Sequence, residues 1–332
     1  MTLKKATILL MVLSFCAGTY LLAEGAKEQQ TYRMRTSTNL GPGGTVGRAL
    51  KFFVETAEKD SGGKIKGTAN FGSELGTQRE QVEMAKTGSL EMVISAPGTG
   101  PGAYVPQLQA IDLPYLFKDE AHFVRVLNGV EGEISRLLAP HNFVAVGGQN
   151  MGFRHMLIKK RPVFEPADLK GLKMRGPNPV FVQMFQALGA SGVTTDWTDV
   201  YTSLQTGVID GMEASPDMIY TMKFHEQAKF LSKTFHNASC VFYFFNKKWL
   251  ESLPADLQKT VVEAARKAAA YQNKIDLEAQ QASMQKLIAE GVKVNEVKDI
   301  NDFKKLTAPM MDTFKARGAE WVDFITKLTS IQ

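Results

Sequence analysis

Hydrophobic positions in the N-terminal third of the chain alternate between strand-like and helix-like patterns. The segment "YRMRTST" is short and β-prone, and residues 45–59 place apolar side chains on one face of a helix. The run "KIKGTANF" favours a second strand, "TQREQVEMAKTG" a second helix that ends at Gly88, and "LEMVISA" a buried strand. This βαβαβ order predicts a parallel sheet covered by helices.

The same alternation continues through the rest of the chain. Strand-like runs occur in "FVAVGGQNMGFRHMLIKK", "LKMRG" and "CVFYFFN", and residues 180–189 predict a helix. The segment "DVYTSLQTGVIDGMEAS" has the pattern of a helix followed by a strand. Residues 255–290 predict one long helix that Gly291 caps. Roughly 300 residues after the N-terminal segment are enough for two α/β domains.

The N-terminal residues indicate export. Lys4 and Lys5 precede a mostly apolar run, residues 6–15, which has the length of a signal-peptide core and is too short to span a bilayer. Cys16 follows, where a lipoprotein signal carries its acylated cysteine, although Phe15 departs from the small residues usual before it. Lipidation of Cys16, cleavage between residues 18 and 26, and a retained anchor all remain open. We expect residues 1–30 to be a signal peptide and tether, and the rest to be periplasmic.

Charge and motif content disfavour nucleic-acid binding and catalysis. The net charge of +5 is scattered without a basic block, which is typical of a solvated surface. The loop "LGPGGTVG" misses the dinucleotide-binding spacing and is either a plain helix-start loop or a place where free amides face an anion. Walker A, HExxH, GxSxG and paired Cys/His motifs are absent from the sequence. We therefore expect no enzyme activity, cofactor or metal, no disulfide, and a buried unreactive Cys240.

Five segments in order carry a family resemblance: "FGSELGTQREQVEMAKTGSLEM", "IDLPYLF", "MGFRHMLIKKRPVFEPADLKGLKMRGPN", "LGASGVTTDWTDVYTSLQTGVIDGMEASP" and "LPADLQKTVVEAA". Together they resemble the substrate-binding proteins of tripartite ATP-independent periplasmic (TRAP) transporters, the DctP-type solute receptors. The resemblance covers Tyr32 to the C-terminus and is strongest in "DLKGLKMR" and "VYTSLQTGVIDGME".

That resemblance implies an α/β, two-lobed periplasmic binding protein fold, with hinge-linked domains that close on a ligand and a long bracing helix. Lobe I would comprise residues 32–150 plus about 241–280. Lobe II would comprise residues 151–240 plus about 281–330. The chain would cross between the lobes near residues 150–152 and 239–241.

The resemblance also implies a set of ligand-binding residues. Arg175 of "GLKMR" would hold the ligand carboxylate, because a guanidinium offers two donors that match it bidentately. Arg154 of "GFR" would lie in the same cleft and assist. Trp197 could wall the pocket or pack beneath a helix, and Glu213 could touch the ligand or orient a neighbour. The remaining expected cleft residues are Asn39, Ser95, Asn178 and Ser215.

The expected ligand is a small organic acid. Relatives that bind sialic acid place polar side chains where this chain has Ala96 and Ala214. We therefore expect a smaller or rather apolar monocarboxylate, such as a 2-oxo, branched-chain or aromatic acid, rather than a polyhydroxylated sugar acid. A carrier of a lipid-like hydrophobic ligand remains the alternative. The implied partners are the TRAP permease subunits, with transport driven by an ion gradient, and in some relatives a helical-repeat periplasmic protein.

Overall fold

Two β-sheets organise the chain. The computed structural model describes residues 30–332, so the predicted signal peptide and Cys16 lie outside the described residues. Within that range, eleven strands form a five-stranded and a six-stranded sheet. The strands are β1 (Tyr32–Thr38), β2 (Ile65–Phe71), β3 (Met92–Ser95), β4 (Phe143–Phe153), β5 (His155–Ile158), β6 (Lys173–Gly176), β7 (Ser191–Thr194), β8 (Gly211–Ala214), β9 (Phe230–Lys233), β10 (Ala238–Asn246) and β11 (Lys293–Glu296).

Helices cover both sheets. In residues 30–332 they are α1 (Thr45–Asp60), α2 (Gln78–Thr87), α3 (Glu120–Leu138), α4 (Pro179–Ala187), α5 (Val200–Thr206), α6 (Pro216–Thr221), α7 (Lys247–Ser252), α8 (Ala255–Ala289), α9 (Ile300–Thr307), α10 (Pro309–Lys315) and α11 (Ala319–Ser330). The predicted apolar face of α1 is buried, and α2 ends at Gly88, whose φ of 87° suits glycine. The sequence patterns did not identify α3.

The first sheet has the strand order β2-β1-β3-β10-β4. Strand β1 is parallel to β2 and β3, which confirms the parallel opening predicted from the sequence. Strand β10 enters between β3 and β4 and is antiparallel to both. The carboxyl ends of β1 and β3 therefore lie at one edge of this sheet.

The second sheet has the strand order β11-β9-β5-β8-β6-β7. Strand β6 is parallel to β7 and β8, while β5 is antiparallel to β8 and β9. Because β6 and β8 are parallel, their carboxyl ends also share one edge. In open α/β sheets such edges are where ligands bind.

Three segments connect the two sheets. Only Arg154 separates β4 from β5, and residues 234–237 separate β9 from β10. These crossings lie a few residues from the positions that the family resemblance implied. The third connection is α8, which packs against α1 and β4 of the first-sheet side and against α6 of the second. Its bounds, Ala255–Ala289, confirm the predicted long helix, and Gly291 follows with a φ of 86°.

A buried set of polar side chains lies where α8 meets both sides. We call it the polar junction, and it consists of Thr45, Asp217, Gln272, Asp276, Gln280 and Ser283. Asp217 in α6 accepts hydrogen bonds from the backbone N–H of Thr45, at 3.3 Å, and from Ser283, at 3.3 Å. Asp276 accepts from the hydroxyl of Thr45 at 3.3 Å. Polar contacts therefore join the start of α1, helix α6 and the bracing helix.

Two further observations concern chemistry and membranes. Cys240 is a free, buried cysteine, and burial raises the pKa of its thiol well above the ordinary range. This agrees with an unreactive core side chain. Between residues 30 and 332, no helix is both long enough and apolar enough to cross a membrane.

Candidate ligand-binding site

A cavity lies where strand ends of the two sheets face each other. Asn39 follows β1, Ala96 follows β3, and Arg175 lies near the end of β6. The cavity measures about 60 Å³, which is room for a few water-sized groups. Its lining residues are Asn39, Leu40, Gln78, Ala96, Thr99, Asp112, Met151, Arg154, Arg175, Pro177, Phe181, Trp197, Met218, Ser239, Cys240 and Val241.

The guanidinium of Arg175 is buried without an anionic partner. Arg175 is only 4% exposed, and its Nε donates to the carbonyl oxygen of Thr195 at 2.9 Å. Within the described residues, its two terminal nitrogens donate to no protein acceptor. The guanidinium carbon lies 5.5 Å from the ring centre of Trp197. Burial lowers the pKa of Arg175 to about 10, so the side chain remains cationic at neutral pH.

Arg154 is equally buried but fully paired. Its Nε and Nη2 bind the carboxylate of Glu213, and Nη2 also donates to the Glu213 carbonyl oxygen at 2.6 Å. Its Nη1 donates to the hydroxyl of Ser239 at 2.6 Å. The guanidinium also lies 5.2 Å from the ring centre of Phe181. The protein itself therefore neutralises and orients this arginine.

Glu213 acts on Arg154 rather than on the cavity. It is fully buried in β8, it is not among the cavity-lining residues, and His236 Nε2 lies 3.3 Å from its carboxylate. Burial pushes the pKa of Glu213 upward, but the charge of Arg154 and the hydrogen bonds from His236 and Arg154 outweigh burial and hold it below its usual value. The geometry thus favours the orienting role among the two that the sequence left open.

Trp197 has the first of the two roles that the sequence left open, because it walls the cavity. Its ring lines the cavity and also meets Phe224 edge to face, with ring centres 5.0 Å apart. The buried indole Nε1 has no hydrogen-bond partner within residues 30–332. Asn39, after β1, also lines the cavity, as the sequence predicted for a cleft residue. Both positions can therefore contact a bound molecule.

Comparison with known proteins decides the family. A family model described as DctP, bacterial extracellular solute-binding protein, family 7, matches residues 36–317. The chain belongs to this family. The match spans both sheets, the cavity between them and the bracing helix, so it applies to the whole site described above.

Individual relatives agree with the family match. A solute-binding protein of Verminephrobacter eiseniae is 36% identical over 246 residues, which cover 74% of this chain and 72% of the relative. The 2,3-diketo-L-gulonate-binding periplasmic protein YiaO of Escherichia coli is 31% identical over 74% of this chain and 75% of its own. A TRAP periplasmic solute-binding protein of Chromohalobacter salexigens, solved with bound D-glucuronate, is 29% identical. That structure covers 90% of this chain and 100% of its own, with a TM-score of 0.86.

Membership in family 7 confirms several expectations from the sequence. The protein has the two-lobed α/β fold of a solute receptor, is not an enzyme, and is the extracytoplasmic substrate-binding subunit of a TRAP-type transporter. Family 7 membership implies a small organic acid as ligand and the membrane permease as partner.

Three predicted cleft residues of this family 7 protein lie behind the cavity wall. Asn178 caps α4, because its Oδ1 accepts from the N–H of Val180 at 3.0 Å. Ser95 accepts a hydrogen bond from Gln78 Nε2 at 2.7 Å. Ser215 is fully buried at the start of α6, and its hydroxyl has no partner among residues 30–332. None of the three is among the lining residues.

Four polar lining residues were missed by the sequence reasoning: Gln78, Thr99, Asp112 and Ser239. Gln78 and Asp112 stand inside "FGSELGTQREQVEMAKTGSLEM" and "IDLPYLF", so the family segments offered a signal for them. Of the two alanines used to predict the ligand, only Ala96 lines the cavity. Ala214 is fully buried and pairs with His155 across the second sheet.

Proposed function

We propose that this family 7 protein captures a small organic carboxylate between its lobes and delivers it to the permease, with Arg175 as the carboxylate anchor. The unpaired guanidinium of Arg175 carries this proposal. A desolvated charge without a partner is costly, and a bound carboxylate would supply the missing partner. The two free terminal nitrogens fit the two oxygens of a carboxylate.

Arg154 supports the anchor from a distance. Its hydrogen bonds go to Glu213 and Ser239, so it contributes a fixed, oriented side chain to the cavity wall. Its charge is largely offset by Glu213. We therefore assign it the secondary role that the sequence suggested.

The cavity lining and the relatives bear on whether the acid is apolar or hydroxylated. Met151, Phe181, Met218 and Val241 line the cavity, but so do four polar residues named above, so the lining does not by itself favour the rather apolar monocarboxylate predicted from the sequence. That prediction rested partly on Ala214, which lies outside the lining. The Chromohalobacter salexigens neighbour holds D-glucuronate. Hydroxylated acids therefore belong in any ligand panel beside apolar ones.

The cavity gives no support to a lipid carrier. Two arginines and an aspartate line it, and burying such groups against a purely apolar chain is costly. The helical-repeat partner and the lipid anchor at Cys16 stay predictions.

Mass spectrometry of what copurifies with the protein tests the proposal. Gentle unfolding of material exported by its native host should release one small organic acid, chemically unchanged, and Arg175→Ala should release none. A long fatty or isoprenoid chain in its place would contradict the small-acid proposal, and an Arg175→Ala protein that still releases the acid would contradict the anchor role. Small-angle scattering should also show a smaller radius of gyration on ligand saturation, because only the closed state lets both lobes contact the ligand.

A further inference from the structure

One acidic group in the cavity, Asp112, neither pairs with Arg175 nor orients Arg154. Asp112 ends a short 3₁₀ segment, Pro106–Asp112, that follows β3 on the first-sheet side, and its side chain lines the cavity. Its Oδ2 accepts a hydrogen bond from Asn178 Nδ2 at 2.7 Å. Within residues 30–332, its Oδ1 accepts from no protein donor, and no lysine, arginine or histidine forms an ion pair with it. A carboxylate accepts hydrogen bonds at both oxygens, so one acceptor remains open.

The Asp112 carboxylate is held in place from two directions. The Oδ1 of Asn178 accepts from the first N–H groups of α4, so its Nδ2 is fixed toward Asp112. On the other side, a Cβ at Gly98 would lie 2.1 Å from Asp112 Oδ2. The backbone at Gly98 therefore lies closer to the carboxylate than a residue with a side chain could. Because Asn178 lies between β6 and α4, the Asp112–Asn178 bond also links the first-sheet side to the second.

The charges around Asp112 favour a neutral donor. Burial raises the pKa of Asp112 to about 7, against the opposing effects of the Asn178 hydrogen bond and the Arg154 charge. At neutral pH the group is therefore partly ionised and partly protonated. A hydroxyl can hydrogen-bond to either form, whereas an ammonium group needs the ionised one. The neighbouring Cys240 thiol stays neutral because burial raises its pKa.

A second acceptor lies on the same side. Gln78 uses its Nε2 to donate to Ser95 at 2.7 Å and to Thr99 at 3.0 Å. These two bonds fix the amide, and its Oε1 has no donor among the described residues. Gln78 also lines the cavity, so the first-sheet wall presents two acceptors.

We propose that Asp112 accepts a hydrogen bond from a hydroxyl group of the ligand while the ligand carboxylate binds Arg175, and that the Asp112–Asn178 bond couples this recognition to lobe closure. The inference rests on the proposed function, in which Arg175 anchors an organic acid. Asp112 is then the residue that selects hydroxylated acids over hydroxyl-free acids of the same length.

Calorimetry with matched probes tests this role. The probes are D-gluconate with hexanoate, and 2,3,4-trihydroxybutanoate with butanoate. Wild-type protein should bind the hydroxylated member of at least one pair about tenfold or more tightly than its hydroxyl-free partner. Asp112→Ala should weaken the hydroxylated probe by about ten- to a hundredfold and the hydroxyl-free probe by less than about twofold. Asp323→Ala, which removes an exposed carboxylate from α11, is the matched control and should change neither.

The outcomes separate this inference from the anchor role. Arg175→Ala should weaken both members of a pair, and if it does not, the anchor itself fails. Wild-type protein that binds neither hydroxylated probe, or binds the hydroxyl-free members as tightly, would overturn the role of Asp112. Equal weakening of both members by Asp112→Ala, or no weakening of either, would also overturn it. So would tighter binding of norleucine, whose donor is an ammonium group, than of D-gluconate.

A second variant and a second measurement keep the test decisive if Asp112→Ala does not fold. Asp112→Asn keeps the volume but replaces one acceptor by a donor, so it should lower the preference for the hydroxylated probe. In scattering, the hydroxylated probe should reduce the radius of gyration of wild-type protein more than that of Asp112→Asn. An unchanged preference and equal compaction in this variant would overturn the proposal.

Discussion

Arg154 and Arg175 line the same cavity and are almost equally buried, yet their surroundings differ. Glu213 and Ser239 occupy the donors of Arg154, whereas Arg175 has one backbone acceptor and two unused terminal nitrogens. Burial alone would rank the two arginines as equivalent. The difference lies in which guanidinium nitrogens have protein acceptors. Under the proposed function, the ligand carboxylate would supply the acceptor that Arg175 lacks.

The largest expected effect comes from removing Arg154, whose guanidinium is paired within the protein. Arg154→Ala leaves the fully buried Glu213 without its main counter-charge, which should lower the free energy of unfolding by about 3–5 kcal/mol. Urea unfolding of the ligand-free protein measures this. In Arg175→Ala the loss should stay below about 1.5 kcal/mol, because one backbone hydrogen bond and the contact with Trp197 disappear while a costly unpaired buried charge is also removed. Equal losses in the two variants would contradict the distinction.

The next effect concerns ligand affinity. Arg175→Ala leaves the ligand carboxylate desolvated and unpaired, which typically costs about 2–5 kcal/mol. That corresponds to roughly thirty-fold to several-thousand-fold weaker binding. Calorimetry with the natural ligand measures it, and Arg136→Ala, an exposed arginine on α3, is the control. A folded Arg175→Ala protein that binds as tightly as wild type would mean that the anchor is not used.

A smaller effect separates charge from geometry. Arg175→Lys keeps a cation but loses the planar pair of donors and the stacking on Trp197. Its affinity should fall between those of wild type and Arg175→Ala in the same titration. Affinity equal to wild type would show that charge alone suffices, and affinity equal to the alanine variant would show that the charge contributes nothing.

The smallest effect concerns pH and the polar junction. Burial raises the pKa of Asp276 to about 7, with the charge of Asp217 adding to the shift. The folded state therefore holds the proton more tightly than the unfolded chain. This contribution to stability is complete below about pH 4 and is lost as the pH rises through 7. The raised pKa of Asp112 also makes the protein less stable as the pH rises. Burial lowers the pKa of His155 to about 3, so its contribution to stability increases with pH instead.

A matched comparison isolates Asp276 from the other titrating groups. Calorimetric melting of wild type and Asp276→Asn at pH 5 and pH 8 should show a smaller decrease in Tm toward pH 8 in the variant. An identical decrease in both proteins would show that Asp276 does not carry this pH dependence.

The sequence predicted Arg175 as the anchor, and the structure places this residue in the cavity wall, but other wall residues were missed for reasons of geometry. Arg175 stands in a long ordered motif, and α8 has a periodic pattern, so both were predicted. Ser95 and Ala96 are neighbours at the end of β3, and only Ala96 lines the cavity. Successive strand residues point to opposite sides, and sequence alone does not fix which of two adjacent residues faces the ligand.

Asp112 was missed for a different reason. It ends a 3₁₀ segment that has no helical or strand periodicity, and its partner Asn178 lies 66 residues further along the chain. Its environment is created only when the two sheets come together. The same applies to Glu213, whose orienting role depends on Arg154, 59 residues earlier.

The polar junction affects how ligand binding depends on temperature. Its members meet through amide, hydroxyl and carboxyl groups, so separation of the lobes would expose polar surface there and let water take over the hydrogen bonds. Exposed polar surface lowers the heat capacity, whereas exposed apolar surface raises it. Closure of the lobes buries this polar surface, so the heat-capacity change on ligand binding should be smaller than it would be if the junction were apolar and of equal area. The affinity of this receptor would then vary with temperature with little curvature.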